Sequence, residues 1–379
     1  MSKHFSSPPR LVMGAGALGS VAAELPSRGS GILVVTDPGI VAAGILEVVV
    51  EALRESQLPV HSFTEVEGNP SVETVEAAAS ALADSGADLV VAVGGGSSMD
   101  VAKSIAMLAT NGGAITDYEG VDKFDQRPLP IVMVPTTVGS GSEVTKGAVI
   151  TNHATNVKMV IVSDLLFATM AVLDPQVVAN LPGRIAATTG MDALTHAIEA
   201  YVAKGANPVT DAINLGAIEL IGQNLVAASK GDPEALYNML VASSMAGIGF
   251  HDAGLGAVHA LANTLGAHYG VHHGTANALF LPYVMDFNLP AAPQRFARIA
   301  SALGADITGL SDGAAAALAA QSVHQLAADS GVPRTLRELE IGTEKLDEMA
   351  RDALDQADLP GNPREVSYDD LCDLFQRAK

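Results

Sequence analysis

The stretch VHALANTLGAHYGVHHG, residues 258–274, carries four histidines, and six of the ten histidines of the chain lie between positions 196 and 273. Histidines gather either on polar helix faces or because several imidazole nitrogens must reach one metal ion. His259 lies in a helical pattern that begins near Gly254. Gly266 and Gly270 interrupt this pattern, which places His273 at the start of the next helix.

A second segment, GMDALTHAIEAY, holds Asp192 and His196 four residues apart. Side chains at this spacing lie on one helix face, so a carboxylate oxygen and an imidazole nitrogen can meet one ion. The pair alone is more typical of a surface hydrogen bond. Together with His259 and His273 it makes one aspartate and three histidines, a set that suits divalent iron or zinc with a position left for substrate.

The composition limits the function classes. A chain of 379 residues with 48% hydrophobic residues predicts two globular domains. The net charge of -21 disfavours binding to nucleic acid or to anionic lipid. Cys372 is the only cysteine, which excludes an internal disulfide and a thiolate metal cluster. Without the pattern of a signal peptide or of a membrane span, the sequence predicts a soluble cytoplasmic protein.

The first half of the chain alternates short β-branched runs with helical stretches, which predicts βαβ units and a mostly parallel sheet. The predicted strands are 31–37, 58–63, 87–93 and 129–135, and a further strand pair is predicted at 146–151 and 156–162. The predicted helices of this half are 40–56, 71–86 and 97–110.

After Pro182 the pattern becomes almost entirely helical. The predicted helices are 184–203, 208–229, 233–250, 255–268, 275–286, 292–303 and 313–330. The boundary is placed in LDPQVVANLPG, near 175–183. We therefore expect an α/β dinucleotide-binding domain at 1–180 and an all-helical metal and substrate domain at 181–379.

Two glycine-rich loops are candidates for the phosphate-binding loop of a dinucleotide site. GAGALG, 14–19, matches the dinucleotide pattern but follows a short strand, and its helix meets Pro26 early. VAVGGGSSMDVAK, 91–103, has a better strand and a helix start whose N–H groups suit pyrophosphate. Asp37 ends the strand at 31–37, where it is either a ribose ligand or part of a TDPG turn.

The segment VPTTVGSGSEVT, 134–145, follows the strand at 129–135. Loops at the carboxyl ends of parallel strands line the ligand crevice of an open α/β sheet. Thr136, Thr137 and Ser140 are therefore candidates for hydrogen bonds to a cofactor. The alternative is a plain hydroxyl-rich loop.

Five segments together resemble the iron-containing (group III) alcohol dehydrogenase family, over nearly the full chain. They are GGGSSMDVAK, VPTTVGSGSEVT, AVLDPQVVANLP, TTGMDALTHAIEAY and GLGAVHALANTLGAHYGVHHGTANALFLPYV. The resemblance implies a dehydroquinate synthase-like architecture, with an α/β N-terminal dinucleotide-binding domain and an all-helical C-terminal metal-binding domain. It also makes GAGALG a structural turn.

The resemblance implies roles for individual residues. The metal ligands would be Asp192, His196, His259 and His273. The residues implied to contact NAD(H) would be Asp37 at the ribose, Gly95, Gly96, Ser97 and Asp100 at the pyrophosphate, and Thr136, Thr137, Ser140 and Lys158 near the nicotinamide.

Three positions depart from the pattern of the family. Asn263 stands where a second histidine usually follows the third ligand by four residues, and an amide does not titrate near neutral pH. His268 stands where an aromatic residue is usual, and His272 where a proline often precedes the ligand. Both histidines are either substitute proton carriers or polar residues of a helix end and a loop.

The expected activity is reversible hydride transfer between NAD and a short primary alcohol of the diol, hydroxy-aldehyde or hydroxy-acid type, assisted by Fe²⁺ or Zn²⁺. An enzyme like dehydroquinate synthase or glycerol-1-phosphate dehydrogenase is one alternative, although residues 251–287 contain no lysine or arginine for an anionic substrate. A catalytically silent metal- and nucleotide-binding protein is the other. The resemblance implies a homodimer or a larger homo-oligomer.

Overall fold

A computed structural model describes residues 5–6, 8–155 and 157–379. The chain divides into two compact units. One comprises Ser6–Thr137 and Gly141–Asn180, and the other includes Val138–Ser140 and Leu181–Lys379. Residues 138–140 thus belong to the second unit although the segments before and after them belong to the first.

The first unit contains all nine strands found in the described residues. They are β1 (Arg10–Met13), β2 (Ile32–Val35), β3 (Val60–Phe63), β4 (Leu89–Gly94), β5 (Gly120–Val121), β6 (Ile131–Pro135), β7 (Gly147–Asn152), β8 (Val157–Val162) and β9 (Met170–Leu173).

Six of the strands form a parallel sheet in the order β1-β9-β6-β4-β2-β3. The predicted parallel sheet is confirmed, and each predicted run of β-branched residues contains a strand. Every residue of β2, β4 and β6 is buried, as expected of central strands covered on both faces. The sequence analysis missed β9, a four-residue strand between β1 and β6.

The helices of this unit are α1 (Ala17–Ala22), α2 (Pro38–Ala42), α3 (Ile45–Leu53), α4 (Val72–Ser85) and α5 (Gly96–Asn111). The single helix predicted at 40–56 is wrong. Gly44, at φ 71°, separates α2 from α3 in a left-handed conformation that glycine adopts without a steric penalty.

A smaller sheet has the order β5-β8-β7, with β7 and β8 antiparallel. These two strands are the pair predicted at 146–151 and 156–162. Asn156 lies outside the described residues.

In the second unit, the regular elements of the described residues are all helical, as predicted. They are α6 (Gly183–Val202), α7 (Pro208–Ala228), α8 (Pro233–Ala253), α9 (Ala257–Tyr269), α10 (His273–Asn288), α11 (Pro293–Ala302), α12 (Asp312–Asp329), α13 (Leu346–Leu354) and α14 (Tyr368–Arg377). The sequence analysis missed α13 and α14. Across the described residues, no helix combines the length and apolar character that a bilayer crossing requires.

The turn GAGALG ends in the short helix α1. Gly14 and Gly16 have φ values of 106° and 82°. The amide of Leu18 donates to the carboxylate of Asp174, at 3.2 Å. A carboxylate of the protein therefore meets the start of this helix, consistent with a structural turn.

A buried lysine joins α5 to the segment before β7. Lys103 is fully buried, and its ammonium donates to the carbonyl oxygens of Ser142 (2.8 Å) and Gly147 (2.7 Å). The hydroxyl of Ser142 donates to Asp100, whose other oxygen accepts from the amide of Val149. Burial lowers the pKa of Lys103 to about 8, against the opposing effect of Asp100.

We predict that Lys103→Met lowers the free energy of unfolding by about 3–5 kcal/mol, because two carbonyl oxygens lose their donor and the charge of Asp100 loses the ammonium that offsets it. Urea denaturation measures this value. Lys146→Met is the control, since Lys146 pairs with the exposed Asp164 and an exposed pair contributes about 1 kcal/mol or less. Equal losses in the two variants would contradict the prediction.

The same lysine predicts a dependence of stability on pH. The folded protein releases the proton of Lys103 near pH 8, whereas the unfolded chain holds it until pH 10.5, the ordinary pKa of a lysine. The unfolded state therefore binds more protons in this interval, and the free energy of unfolding rises with pH. We expect wild type to gain stability relative to Lys103→Met between these values. A constant difference would show that the pKa of Lys103 is not lowered.

Candidate metal centre and cofactor site

Helix α6 carries the first part of the candidate metal centre. Asp192, His196 and Glu199 are spaced by four and three residues, so they share one face of the helix. All three are buried, with exposed fractions of 6%, 5% and 4%. Seventeen of the twenty residues of α6 are buried, so these polar side chains need partners inside the unit.

Helices α9 and α10 bring the other two histidines. His259 lies in the first turn of α9 and is buried, whereas His273 is the first residue of α10 and its side chain is 42% exposed. Gly274 follows His273, and a Cβ there would lie 2.5 Å from the carbonyl oxygen of Thr188 on α6. Glycine at this position lets α10 start close to Asp192.

The four predicted metal ligands lie together. One ligand atom from each of Asp192, His196, His259 and His273 lies within 4.8 Å of every other. The rings of His196 and His259 stack with centroids 4.8 Å apart, and those of His259 and His273 are 5.3 Å apart. The structure therefore unites two segments that are more than fifty residues apart in sequence.

Hydrogen bonds select the tautomers of two histidines. Nδ1 of His196 lies 3.2 Å from the carbonyl oxygen of Gly139, to which it donates. Nδ1 of His259 lies 2.6 Å from a carboxylate oxygen of Glu199. A proton on each Nδ1 leaves the lone pair on Nε2, the nitrogen that faces the cluster, as metal ligation requires.

The charges of the cluster also favour a cation. Burial lowers the pKa of His196 to about 4, so this ring is neutral at pH 7. Burial alone would raise the pKa of Asp192, but the three histidines beside it hold that pKa below its ordinary value. An ionised carboxylate and a neutral imidazole are the forms that bind a metal.

The donor set fits one divalent ion. Bonds of about 2.0–2.2 Å place the ligand atoms of a tetrahedral ion about 3.3–3.6 Å apart. The four ligand atoms of the cluster lie within 4.8 Å of one another, so closure around an ion requires each of them to move by less than about 1 Å. Imidazole with carboxylate suits iron or zinc.

The residues predicted to bind the cofactor mostly follow three neighbouring strands of the parallel sheet. Asp37 follows β2, Gly95–Ser97 follow β4, and Thr136 with Thr137 follow β6. Neighbouring parallel strands end at the same edge of a sheet, and the contacts agree. The Ser98 hydroxyl lies 3.4 Å from Asp37, and a Cβ on Gly95 would lie 3.4 Å from the side chain of Thr137.

The start of α5 suits an anion. Gly95 is the N-cap residue. At this position no side chain among the described residues accepts a hydrogen bond from the N–H groups of the first turn. The N–H groups of the first turn therefore keep their capacity to bind phosphate oxygens. Gly94 has φ 151°, and a Cβ there would collide with the Ser98 hydroxyl at 2.5 Å, so the turn requires glycine. The hydroxyl oxygen of Thr136 is buried without a partner among the described residues.

Other predicted cofactor residues have partners within the protein. Asp37 caps α2 by accepting from the amides of Gly39 and Ile40, which leaves one carboxylate oxygen near Ser98. Asp100 uses both oxygens in the network with Ser142 and Val149. The structure thus gives Asp100 a role in holding α5.

The last two of these residues belong to neither β2, β4 nor β6. Lys158 is on β8 of the small sheet, where its ammonium donates to the side chain of Asn69 at 2.9 Å. Ser140 belongs to the helical unit, next to the Gly139 carbonyl that accepts from His196.

The three residues predicted to act in catalysis do not belong to the cluster of four ligands. His268 is nine residues beyond His259 on α9, about 13 Å along the helix, and it pairs with Asp352 at 2.6 Å. His272 is exposed and precedes α10 as its N-cap residue. Asn263 is one turn after His259 and donates to the side chain of Gln356 at 3.3 Å.

Two family models match the chain and together cover almost its whole length. A model of the Fe-containing alcohol dehydrogenase family, C-terminal, matches residues 186–379, and a model of iron-containing alcohol dehydrogenase matches residues 8–175. The chain belongs to the iron-containing alcohol dehydrogenase family. The predicted family resemblance is thereby confirmed.

Relatives of this family match along almost the whole chain. The NAD-dependent methanol dehydrogenase of Bacillus methanolicus is 38% identical over 378 residues, covering 99% of each chain. The 1,3-propanediol dehydrogenase of Citrobacter freundii is 41% identical over 354 residues, covering 92% of each. A crystal structure of a 1,3-propanediol oxidoreductase has a TM-score of 0.97 at 38% identity, covering 100% of each chain.

Two polar residues of this iron-containing alcohol dehydrogenase touch the ligands and were not predicted from its sequence. Glu199 was detectable, because it continues the face that Asp192 and His196 define. Asn277 was not detectable, because nothing in the sequence except its position one turn after His273 indicates a role at the metal centre. Glu199 also accepts from the amide of Val258, at 2.7 Å, at the start of α9.

We predict that Glu199→Gln weakens zinc binding 10- to 100-fold, because the carboxylate that orients His259 loses its charge. Competition between the metal-stripped protein and a chromophoric chelator measures the dissociation constant. Glu219→Gln, on the exposed face of α7, is the control. A dissociation constant equal to that of wild type would show that Glu199 does not tune the site.

Proposed function

We propose that this protein is an NAD(H)-dependent oxidoreductase that interconverts a short primary alcohol and its aldehyde by hydride transfer. The observation that carries the proposal is the convergence of the four ligand atoms within 4.8 Å. Membership of the iron-containing alcohol dehydrogenase family supports it, as do relatives that are named methanol and 1,3-propanediol dehydrogenases.

Asp192, His196, His259 and His273 would hold the divalent ion, with Fe²⁺ as the expected metal and Zn²⁺ as the alternative. Such an ion supplies Lewis acidity, which lowers the pKa of an alcohol and polarises the carbonyl of an aldehyde. Gly139 and Glu199 keep His196 and His259 in the required tautomers. Because His273 is the most exposed member of the set, substrate would approach the centre from its side.

The dinucleotide would lie at the carboxyl ends of β2, β4 and β6. The amides of Gly95, Gly96 and Ser97 would bind the pyrophosphate, and the Asp37 oxygen that faces Ser98 would accept from a ribose hydroxyl. A carboxylate there repels a 2′-phosphate, which favours NAD over NADP. Thr136, Thr137, Ser140 and Lys158 would contact the nicotinamide half, and the unpartnered hydroxyl of Thr136 supports this placement.

The surroundings of the ligands favour a substrate without negative charge. Residues 251–287, which include His259 and His273, contain no lysine or arginine. Recognition of a phosphate or carboxylate normally relies on these cations. Short alcohols, diols and hydroxy-aldehydes therefore fit better than the anionic substrates of the dehydroquinate synthase and glycerol-1-phosphate dehydrogenase relatives.

Position 263 carries an asparagine instead of the usual histidine, so it would not carry a proton. The amide of Asn263 donates and accepts hydrogen bonds but does not titrate, so it would orient substrate or water. His268, in its pair with Asp352, is too distant along α9 to replace it. His272, beside a ligand, remains the candidate proton carrier. Cytoplasmic location and a homo-oligomeric state stay predictions.

We predict that His273→Ala removes both bound metal and activity, because one of four ligands is lost. Elemental analysis of the purified protein gives the metal content. NADH oxidation with a panel of short aldehydes gives the activity, which we expect to fall at least 1,000-fold, on the order of the several kcal/mol that a Lewis acid contributes. His61→Ala, on the exposed side of β3, is the control.

Three results would contradict the proposal in different ways. Full activity and metal content in His273→Ala would reject the site. Metal and NADH binding by wild type without turnover of any aldehyde would support a silent binding protein. Turnover of phosphorylated substrates alone would support the dehydroquinate synthase-like alternative.

For Asn263 we predict that Asn263→His leaves zinc affinity unchanged and alters the pH dependence of kcat/KM. An imidazole adds a group that titrates near pH 6.5, whereas Asn263→Gln, the control, adds none. Steady-state kinetics between pH 6 and 10 make the measurement. Identical profiles for all three proteins would exclude a role in proton transfer at this position.

A further inference from the structure

Asn277 lies in the middle of the candidate metal centre although it belongs to no predicted site. It is on α10, one turn after His273, and its exposed fraction is 0%. Its side-chain nitrogen Nδ2 lies 2.6 Å from Oδ1 of Asp192, 3.2 Å from Nε2 of His259 and 3.1 Å from Nε2 of His273. It therefore contacts ligand atoms from all three helices that build the centre.

The two ends of the amide have opposite surroundings. Nδ2 has two hydrogens and three acceptors within reach, whereas Oδ1 is buried without a hydrogen-bond partner among the described residues. Turning the amide round would place its oxygen against the carboxylate and the imidazole lone pairs. The ligand atoms thus fix the orientation of the amide, and the unpartnered oxygen is the energetic cost of that orientation.

The contact with Asp192 is the strongest of the three. It is the shortest, and a hydrogen bond to an ionised carboxylate is stronger than one between neutral groups. A carboxylate has about four lone-pair sites, so Asp192 can accept from Asn277 and still offer an oxygen to an ion. The remaining N–H hydrogen is shared between the two imidazoles.

The contacts of Asn277 and Glu199 select the same form of His259. Glu199 accepts the proton of Nδ1, which leaves the lone pair on Nε2. An N–H group of Asn277 can bond to Nε2 only if that nitrogen carries a lone pair. Both neighbours therefore hold the ring in the tautomer that binds a metal, and they do so from opposite sides.

We propose that Asn277 is a positioning residue of the metal centre. Its amide fixes the side-chain rotamers of Asp192, His259 and His273 before a metal arrives, and it keeps its bond to Asp192 afterwards. The bond to Asp192 persists when the metal displaces the contacts to the two Nε2 atoms, and through it Asn277 raises the affinity for a divalent ion without contributing a ligand atom. This inference rests on the proposed metal site, so its test must also show whether that site binds metal.

The test is a titration of chelator-stripped, full-length protein with ZnCl₂, read by competition with a chromophoric chelator. We expect Asn277→Ala to raise the dissociation constant 10- to 100-fold, the usual effect of losing a residue that orients metal ligands. Asn224→Ala is the matched control. Asn224 lies on α7, which carries none of the four ligands, and its amide bonds to Leu220 and Asn238, so its loss should change the constant less than twofold.

Two further measurements separate positioning from a purely structural role. We expect the zinc-induced rise in melting temperature to shrink in Asn277→Ala, whereas a structural role would lower the melting temperature equally with and without zinc. With Co²⁺ in place of zinc, we expect the visible absorption bands to shift in Asn277→Ala and to match wild type in Asn224→Ala. A shift reports a changed arrangement of ligands around the metal.

Asn277→Ser covers the case in which the alanine variant does not fold. Its hydroxyl can bond to the backbone of the preceding turn but is too short to reach the three ligand atoms. The same loss of affinity is expected. Zinc affinity equal to wild type in either folded variant would overturn the inference, whereas a wild-type protein that binds no zinc would overturn the proposed metal site instead.

Discussion

The carboxylate of Asp192 lies in the interior of the helical unit, on a helix that is buried along most of its length. An ionised group removed from water requires close partners, or it takes up a proton instead. Here the partners are three imidazoles and the amide of Asn277, delivered by α6, α9 and α10. The packing of these three helices therefore depends on the partners of Asp192, and the metal centre in turn depends on that packing to bring the partners together.

The contacts behind the ligands explain why the centre is selective for a cation. Glu199 and the Gly139 carbonyl each accept from an Nδ1 atom, so His259 and His196 present lone pairs to the middle of the cluster. His196 is also neutral at pH 7 because burial lowers its pKa to about 4. Nitrogen lone pairs around an anionic oxygen repel one another unless a positive charge lies among them.

Much of this arrangement was predictable from sequence, because its signals are local. The spacing of Asp192 and His196 defines a helix face, glycines mark the break between α9 and α10, and β-branched runs mark the central strands. Glu199 follows from the same helical period. The family resemblance then supplied the ligand set as a whole, which no single spacing determined.

Other features depend on contacts that spacing does not encode. Asn277 is a neutral residue in an apolar helix, and its role depends on three helices meeting at its nitrogen. Strand β9 has the sequence MAVL, with valine as its one β-branched residue, so it lacks the β-branched run that marks the other short strands. Asp100 lies where the resemblance implied a phosphate contact, yet Ser142 and Val149 use both of its oxygens. The partners of all three come from distant parts of the chain.

The three residues Val138–Ser140 limit how far the helical unit can be treated as a module. They cluster with that unit, although the chain on either side of them belongs to the α/β unit. The carbonyl of Gly139 accepts from His196, and a Cβ on Gly139 would lie 2.7 Å from Thr189, so the contact is a tight one. A fragment cut at residue 181 would keep all four predicted ligands and lose this acceptor. Grafting the centre onto another scaffold, or exchanging it between relatives, therefore requires a discontinuous piece of sequence.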